Sequence, residues 1–289
     1  MRITNKLNLP DGFVRACTTE RHNKPGELSA TTLLKGVKEI ILTERHWDEI
    51  EVDVSDQVWA IWGTAVHALL EHEGENEFTE ERLTAEVNGI TITGRIDNYN
   101  MATGAIVDYK TASVWKVKFN DFDDWRKQGL IYAWLLMQNG LPIKKCRFVA
   151  LLKDHSQTEA ERDASYPQSP VFVYDFDVSE QLLIDVGVHI NSLTLCYNED
   201  RLLKDDEIEP CLPRERWERG GKYAVMKKGR KKALKLFDHK GDAWDWKDKQ
   251  KEYKKLYVEH RPGEPTKCAK YCNVNKWCHF WREYANTNS

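Results

Sequence analysis

Alternating apolar and polar residues on either side of Asn88-Gly89 constrain the fold of this chain more than any other feature. Before this dipeptide lies Arg82–Val87, and after it Ile90, Ile92 and Ile96 alternate with polar residues. Such alternation is typical of half-buried β-strands, and Asn-Gly suits the type I′ turn of a two-residue hairpin. The sequence therefore predicts an antiparallel β-hairpin.

A third predicted strand follows the hairpin and brings acidic and basic side chains together. Asp97 leaves the second strand on its polar face, and a loop containing Thr103-Gly104 leads into the third strand, in which Asp108 and Lys110 share one face. Two carboxylates at a strand end form a hard oxygen site suited to Mg²⁺ or Mn²⁺. A neighbouring Lys can orient or deprotonate a water molecule, so this trio can hydrolyse a phosphodiester. The alternative interpretation is an exposed ion pair on a strand.

The remaining pattern predicts an α/β fold, in which strands alternate with helices. The predicted helices run from Ser29 through Ile41, from Ser55 through Leu69, from Asp121 to Gly140, from Ser179 to about Leu203, and near Ala243–Tyr257. The further predicted strands are Arg147–Leu152 and Val171–Val178, with a surface loop over Asp154–Pro170 between them. The 289 residues are enough for one large domain or two modest ones.

Composition excludes several classes of protein. The chain is 41% hydrophobic and 31% charged, which excludes disordered and collagen-like chains. No apolar run approaches the roughly 18 residues of a membrane helix. The first residues also lack the apolar core of a signal peptide. We therefore expect a protein of the bacterial or host-cell cytoplasm, without a membrane partner.

Positive charge is concentrated in the segment from Arg214 to Lys235, here called the basic segment. It holds ten basic and two acidic residues, a net charge of +8, which leaves −11 for the rest of a chain whose total is −3. Basic side chains neutralise phosphates and interleaved aromatic rings can stack on bases, so the predicted partner is nucleic acid. A solvated basic hairpin is the alternative. The candidate DNA-binding residues are Arg214, Arg216, Trp217, Arg219, Lys222, Tyr223, Lys227, Lys228, Arg230, Lys231 and Lys232.

Three of the seven cysteines crowd together near the end of the chain. Cys268, Cys272 and Cys278 have the spacing C-x3-C-x5-C, and Cys211 opens the basic segment. Without a secretory signal, such spacing favours metal binding over disulfides. Four thiolates suit a [4Fe–4S] cluster or tetrahedral Zn²⁺, and four unrelated thiols are the alternative.

Four motifs in one order give the chain a resemblance to a known family. Gly94–Asp97, reading GRID, and Val107–Thr111, reading VDYKT, resemble the core of the PD-(D/E)XK nuclease superfamily, with ten residues between the two aspartates. Gly63–Glu71 is similar to the helical histidine motif of its RecB-like exonuclease branch, and Gln128–Tyr132 matches the branch's Q-x-x-x-Y helix. The resemblance covers about residues 60–140.

The resemblance implies a restriction-endonuclease-like core, a central mixed sheet flanked by helices, and a role for each motif residue. His67, Asp97, Asp108 and the Tyr109 carbonyl would hold one or two Mg²⁺ or Mn²⁺ ions. Lys110 would position the attacking water, and cleavage would leave a 5′-phosphate. Gln128 and Tyr132, one helical turn apart, would orient the scissile strand. Glu71, one turn beyond His67, either assists or is a surface carboxylate.

Nucleases of this branch often carry an iron–sulfur cluster whose last three cysteines lie close together near the C-terminus. This sequence departs from that pattern, because the N-terminal helix that normally supplies the first cysteine contains none and the next spacing is x3 where x2 is commoner. We therefore nominate Cys211 as the fourth ligand, with Cys17 as the runner-up. The predicted domains are a nuclease core over residues 1–205 and a basic, cysteine-rich, metal-bound subdomain over residues 206–289.

These observations together predict a metal-dependent DNA exonuclease of recombination or repair that acts on linear ends through backbone contacts. No G-x4-G-K-[ST] motif is present, so unwinding would come from a partner, and a single-strand-binding protein or a recombinase is a candidate. The compact format is reminiscent of phage-encoded exonucleases. The alternatives are a non-catalytic module that binds DNA ends and a structure- or sequence-specific endonuclease on the same fold.

Overall fold

The computed structural model describes residues 1–17, 26–70 and 77–288, with residues 77–81 and 288 described by their backbone only. The chain divides into two units, Met1–Lys204 and Asp205–Ser289. Within the described ranges, no helix has the length and apolar character needed to cross a membrane.

The first unit is an α/β structure. Its strands are β1 (Arg2–Thr4), β2 (Glu27–Ser29), β3 (Glu51–Asp53), β4 (Glu77–Val87), β5 (Ile90–Asn100), β6 (Ala105–Ala112), β7 (Lys145–Leu152) and β8 (Val171–Asp177). Its α-helices are α1 (Asp11–Cys17), α2 (Val37–Arg45), α3 (Val58–Leu70), α4 (Val114–Lys118), α5 (Asp123–Gln138), α6 (Gln157–Arg162) and α7 (Glu180–Asp200).

Six of these strands form a central mixed sheet, which confirms the predicted architecture. The order is β2-β5-β6-β7-β8, with β4 also paired to β5. The pairs β2–β5 and β6–β7 are parallel, and the pairs β4–β5, β5–β6 and β7–β8 are antiparallel. The predicted hairpin is present as β4 and β5. Asn88 and Gly89 both adopt positive φ, of 54° and 74°, as a type I′ turn requires.

Helix α5 packs closely on the sheet because two glycines lie where the surfaces meet. A methyl group on Gly94 of β5 would lie 2.5 Å from Leu135 Cδ1 and 3.0 Å from the Tyr132 ring. A methyl group on Gly129 of α5 would lie 3.0 Å from the ring of Phe148 on β7. All three distances are shorter than carbon–carbon contacts of about 3.5–4.0 Å. The two glycines therefore fix how deeply α5 sits.

Stacked aromatic rings fill the space where the start of α5 meets β7 and β8. Phe122 stacks on Tyr174 with ring centroids 4.6 Å apart, and Trp125 stacks on Phe148 at 5.8 Å. Phe148 is completely buried, and Trp125 is 4% exposed. These large rings contribute much of the apolar area that stabilises this end of the sheet.

The second unit has its own small core. Its strands are β9 (Glu218–Arg219), β10 (Lys222–Lys227), β11 (Lys235–Phe237), β12 (Leu256–Arg261) and β13 (Glu264–Pro265), and its helices are α8 (Lys240–Asp248), α9 (Thr266–Lys270) and α10 (His279–Asn288). β10 pairs with β11 and β12 in an antiparallel sheet, and Val225, Ala243 and Leu256 are buried between this sheet and α8.

Several predicted helix boundaries are wrong, for local reasons. Ser29 ends β2 instead of capping a helix, and its hydroxyl accepts from the Thr32 amide at 3.2 Å within a 3₁₀ turn, so the helix begins only at Val37. The helix predicted from Ser55 begins at Val58, after a 3₁₀ turn over Val54–Gln57.

Two more predicted elements differ from the structure. The predicted loop Asp154–Pro170 contains the short helix α6, whose Ser156 hydroxyl accepts from the Glu159 amide as an N-cap. The helix predicted near Ala243–Tyr257 ends at Asp248, because the chain then enters strand β12. Both stretches are rich in polar residues, so hydrophobic periodicity does not indicate the helix or strand that forms there.

Candidate active site

The site is centred where β5 and β6 part. Their backbone pairing extends from Asn100↔Ala105 to Asn98↔Val107. Beyond it, the Tyr109 amide donates to Oδ2 of Asp97 at 2.8 Å. The Asp97 side chain therefore satisfies a backbone group that would otherwise need a partner strand. The prediction that Asp97 leaves the strand on its polar face is wrong, since β5 continues to Asn100 and Asp97 is only 8% exposed.

Helix α3 brings His67 to the same carboxylate. The helix passes close to β6, where a methyl group on Gly63 would lie 3.8 Å from Thr111 Oγ1. One turn further, His67 Nδ1 lies 3.2 Å from Oδ1 of Asp97. This hydrogen bond to Asp97 is the main reason why the pKa of His67 is raised. Glu71, for which the sequence allowed either a role assisting His67 or a surface position, lies outside the described residues.

Asp108 is a deeply buried carboxyl group. Only 2% of the residue is exposed, and burial raises its pKa to about 6, with the positive charge of Lys110 opposing the shift and the negative charge of Asp97 adding to it. Lys110 Nζ forms an ion pair with Asp108 Oδ2. That contact lacks hydrogen-bond geometry, and no other described donor meets Oδ2. An exposed strand ion pair, the alternative raised from the sequence, is therefore wrong.

Two residues of β7 that the sequence did not single out form the apolar wall of this site. Phe148 pairs with Asp108 in the parallel ladder, and its ring centroid lies 5.7 Å from Lys110 Nζ. Cys146 donates its thiol hydrogen to the Gly129 carbonyl at 3.4 Å, and burial together with the Asp108 charge raises its pKa to about 12. For Phe148 the only sequence signal was its alternation along the predicted strand Arg147–Leu152, and Cys146 lies one residue before that strand.

Gln128 and Tyr132 share one face of α5, as predicted. Gln128 Nε2 donates to Tyr132 Oη at 2.9 Å, and the residues are 8% and 6% exposed. The close approach at Gly94 places the Tyr132 ring against β5. The two side chains are therefore fixed relative to each other and to the strand that carries Asp97.

A cleft of about 500 Å³ opens beside Tyr132. Its walls combine hydroxyl groups with two arginines, and they are formed by Ser29, Ala30, Thr31, Arg82, Thr93, Gly94, Arg95 and Tyr132. Arg82 is paired with Glu27, with Nη2 and Oε2 2.7 Å apart. Hydroxyl and guanidinium groups are donors that suit a phosphate.

The donor set at β5 and β6 suits a hard divalent cation. His67 offers an imidazole nitrogen, and Asp97 and Asp108 offer carboxylates. The buried Asp108 Oδ2 has its ion pair with Lys110 but no described donor in hydrogen-bond geometry, so it can still act as an oxygen ligand. Throughout residues 1–17, 26–70 and 77–288, however, no three His, Cys, Asp or Glu side chains have the geometry to hold a metal ion. His67 and Asp97 bond to each other instead, so a cation would have to replace that contact.

The same result applies to the cysteines. Cys211, Cys268, Cys272 and Cys278 are partly buried in the second unit and form no disulfide, but the structure does not arrange them as a metal site. The runner-up, Cys17, is 3% exposed in the first unit, and its thiol contacts the Val54 carbonyl at 3.7 Å. Burial raises the pKa of Cys17, which disfavours the thiolate that a metal needs.

In the basic segment, several candidate residues are engaged within the chain. Lys222 is paired with Asp238, Lys227 with Glu252, and Arg216 with Glu218 at 2.5 Å. The aromatic candidates also have neighbours, with Trp217 packed on Tyr271 at 5.2 Å and Tyr223 on His260 at 4.8 Å. The exposed residues Lys228, Arg230, Lys231 and Lys232 cluster in the turn between β10 and β11, here called the basic turn, and Arg214 and Arg219 are exposed outside it.

One protein-family model matches this chain over most of its length. The family model of the PD-(D/E)XK nuclease superfamily matches residues 21–279. A search of curated proteins finds no match.

Solved structures resemble the chain only distantly. SSO0001 is 16% identical with a TM-score of 0.42, over 62% of this chain and 82% of that one. The alkaline exonuclease LHK-Exo from Laribacter hongkongensis is 10% identical with a TM-score of 0.38, over 61% and 90% of the two chains. A phage related exonuclease from Haemophilus somnus is 12% identical with a TM-score of 0.37, over 60% and 94%. TM-scores below 0.5 are too low for these likenesses to support an argument.

Proposed function

Because the chain belongs to the PD-(D/E)XK nuclease superfamily, we propose that it is a divalent-metal-dependent DNA nuclease, and more narrowly an exonuclease. One observation carries the proposal. A buried Asp108 carboxyl lies beside Lys110, while His67 and Asp97 meet at the adjacent strand where β5 and β6 part. Burying charged groups costs free energy that a purely structural role would not require, so such clusters mark functional sites.

Nucleases of this superfamily generally use divalent metals such as Mg²⁺. The residues that would hold one or two Mg²⁺ or Mn²⁺ ions are His67, Asp97, Asp108 and the Tyr109 carbonyl. A bound cation supplies Lewis acidity and lowers the pKa of a water molecule. The buried position of Asp108 keeps its carboxylate away from competing solvent.

The chain's own residues divide the remaining work. Lys110, whose ammonium lies at the Asp108 carboxylate, orients the attacking water and offsets charge that develops on the phosphate. Gln128 and Tyr132, bonded to each other, orient the scissile strand. The leaving group is the 3′-oxygen, so cleavage leaves a 5′-phosphate.

The basic turn supplies backbone contacts without reading sequence. Four exposed cations lie within five residues there, and each can neutralise a phosphate. We place the reaction at linear DNA ends in recombination or repair, in a phage-type format in the bacterial or host-cell cytoplasm, with a single-strand-binding protein or a recombinase as the partner.

A [4Fe–4S] cluster, or alternatively Zn²⁺, bound by Cys211, Cys268, Cys272 and Cys278 is a separate proposal. Its support is the contact pattern of Arg216, which donates to the Cys211 carbonyl and lies 4.0 Å from the ring of Phe280, two residues beyond Cys278. Iron and zinc analysis of anaerobically purified protein tests it, and absence of both metals contradicts it. Separate Cys211→Ser and Cys17→Ser variants then identify the fourth ligand.

A cleavage assay tests the proposed activity. Wild type, Asp108→Ala and Lys110→Ala are incubated with Mg²⁺ or Mn²⁺ and linear or closed circular DNA, single- or double-stranded. Asp175→Ala and Lys145→Ala are matched controls, because this acid–base pair lies on the same sheet but is partly exposed. We expect wild type and controls to degrade linear DNA to 5′-phosphorylated products, and both site variants to be inactive.

Three results would contradict this assignment. Cleavage of closed circles by wild type would make the protein an endonuclease. Binding of DNA ends without any cleavage would make it a non-catalytic module. Equal cleavage by wild type and both site variants would show that Asp108 and Lys110 of β6 are not catalytic.

A further inference from the structure

Four large aromatic residues of the first unit are exposed at the ends of the elements that carry the site. Trp59 and Trp62 on α3 are 56% and 50% exposed, and Trp115 on α4 and Phe119, directly after α4, are 53% and 73% exposed. We call these four residues the aromatic surface. Single exposed apolar residues are common on proteins, but grouped tryptophans mark an interaction site.

On α3, the aromatic surface continues the row of residues that leads to the candidate site. Trp59, Gly63 and His67 are spaced i, i+4 and therefore lie on one face of the helix. His67 lies eight positions after Trp59, which is about 12 Å along the helix axis. A strand of nucleic acid in the site at His67 can therefore reach Trp59.

Helix α4 begins directly after β6, the strand that carries Asp108 and Lys110. Its N-terminus is held by Asp154, which accepts from the Ser113 hydroxyl at 2.6 Å and from the Val114 amide at 2.8 Å. The adjoining Lys153 amide donates to the Ala112 carbonyl at 2.9 Å. The segment Lys153-Asp154 thus fixes α4 to the end of β6.

The same segment contacts α3 through a charge. Lys153 Nζ lies 3.9 Å from the centroid of the Trp59 ring. On α4, Lys118 Nζ lies 5.5 Å from the Trp115 ring, although Lys118 is also paired with Asp163 at 3.1 Å. Trp115 and Phe119 stack with centroids 5.7 Å apart. Exposed rings with a cation over them match the two parts of a nucleotide, a stackable base and a phosphate.

We propose that the aromatic surface binds the unpaired bases of a single DNA strand by stacking, while Lys153 meets its backbone. The inference rests on the proposed function, since it assigns that nuclease a substrate with an unpaired strand next to the site. A protein partner would cover apolar area without needing a cation on the Trp59 ring, so the charge favours DNA.

Equilibrium binding in EDTA, where no cleavage occurs, tests the proposal with full-length protein. Fluorescence anisotropy compares a 20-nucleotide oligo-dT, an abasic strand of the same length and a blunt duplex. The variants are Trp59→Leu/Trp62→Leu, which keeps apolar area, and Trp59→Phe/Trp62→Phe, which keeps stacking. The matched control is Ile184→Ala/Val188→Ala, which removes exposed apolar area from α7.

We expect the Leu variant to bind oligo-dT about 5- to 150-fold more weakly per stacked base lost. The Phe variant and the α7 control should stay within about threefold of wild type. Wild type should bind the abasic strand at least as weakly as the Leu variant binds oligo-dT, because Trp115 and Phe119 can still stack in that variant. Equal affinity of wild type for oligo-dT and the abasic strand overturns the proposal, and this comparison needs no variant to fold.

Two further readouts distinguish base stacking from self-association and from a failure of the nuclease assignment. If sedimentation shows that wild type is a dimer and the Leu variant a monomer, with oligo-dT affinity unchanged, the surface binds a second copy and the proposal fails. Cleavage by wild type that Asp108→Ala abolishes, together with unaltered oligo-dT binding by the Leu variant, overturns the stacking surface while the proposed function stands. If wild type does not cleave DNA but binds oligo-dT more tightly than the abasic strand, the aromatic surface stands and the proposed function fails.

Discussion

The substitution Gly94→Ala tests how the closeness of α5 to β5 supports both stability and the site. The added methyl would lie 2.5 Å from Leu135 Cδ1 and 3.0–3.1 Å from the Tyr132 ring. Normal contacts are about 3.5–4.0 Å, so Leu135 or the helix must move by about 1 Å. Leu135 is completely buried and Tyr132 is 6% exposed, so little room exists.

Overpacking of this kind costs about 1–3 kcal/mol, partly offset by about 0.5–1 kcal/mol because Ala replaces Gly in a strand. The midpoints of these ranges give a net loss of about 1 kcal/mol and a Tm lower by about 2–5 °C for a unit of this size. Displacing Tyr132 by about 1 Å should lower the cleavage rate by up to about 100-fold.

Thermal unfolding by circular dichroism and the cleavage assay check both numbers. Gly12→Ala is the control, because a methyl group there meets nothing within 4 Å. In Gly94→Ala/Leu135→Ala the clash with Leu135 is gone, so its loss of stability should be smaller than the sum of the single losses. An unchanged Tm and rate in Gly94→Ala would refute the close packing of α5 on β5.

Three further predictions use other parts of the structure. Gly89→Ala should lower the free energy of unfolding by about 1–2 kcal/mol, measured by urea titration, because φ is +74° there while no neighbour obstructs a methyl group. Cys146, whose pKa is raised to about 12, should resist Ellman's reagent at pH 8 until the protein unfolds. The exposed Cys196 should react in the native state. Identification of the labelled peptides distinguishes the two cysteines. Lys231→Gln/Lys232→Gln should reduce the slope of log affinity for duplex DNA against log salt by about 1.8. Lys222→Gln, which removes a lysine already paired with Asp238, should change that slope less.

The parts of the fold that the sequence predicted best are those that depend on local chemistry. Asn-Gly readily adopts the two positive φ angles that a type I′ turn requires. The hairpin is present, and Asn88 and Gly89 both have positive φ. Helix α5 ends where Gly140 was expected to end it, with φ of +72°. Asp108 and Lys110, two residues apart, form the ion pair that strand periodicity predicts.

The sequence failed where tertiary contacts decide. The sequence predicted that Asp97 leaves the strand on its polar face. Alternation along a strand cannot reveal that His67 of α3 contacts that carboxylate. The sequence also counted Lys222 and Lys227 as available for DNA, although acidic partners sixteen and twenty-five residues away neutralise them. Net charge along a segment is readable from the sequence, but the pairing that cancels it depends on the folded strands.

Asp97 explains why the strand geometry and the candidate chemistry occur together. Its Oδ2 accepts from the Tyr109 amide where the β5–β6 ladder ends, and its Oδ1 faces His67 from α3. An amide in place of the carboxylate would offer one acceptor and one donor, so both contacts could persist only if His67 Nδ1 accepted instead of donating. Asp97 therefore holds three elements around Asp108 before any cation is considered. Because the carboxylate that joins the two strands is also a proposed ligand, a change that alters ligand chemistry at this position also alters the backbone that positions Tyr109 and Asp108.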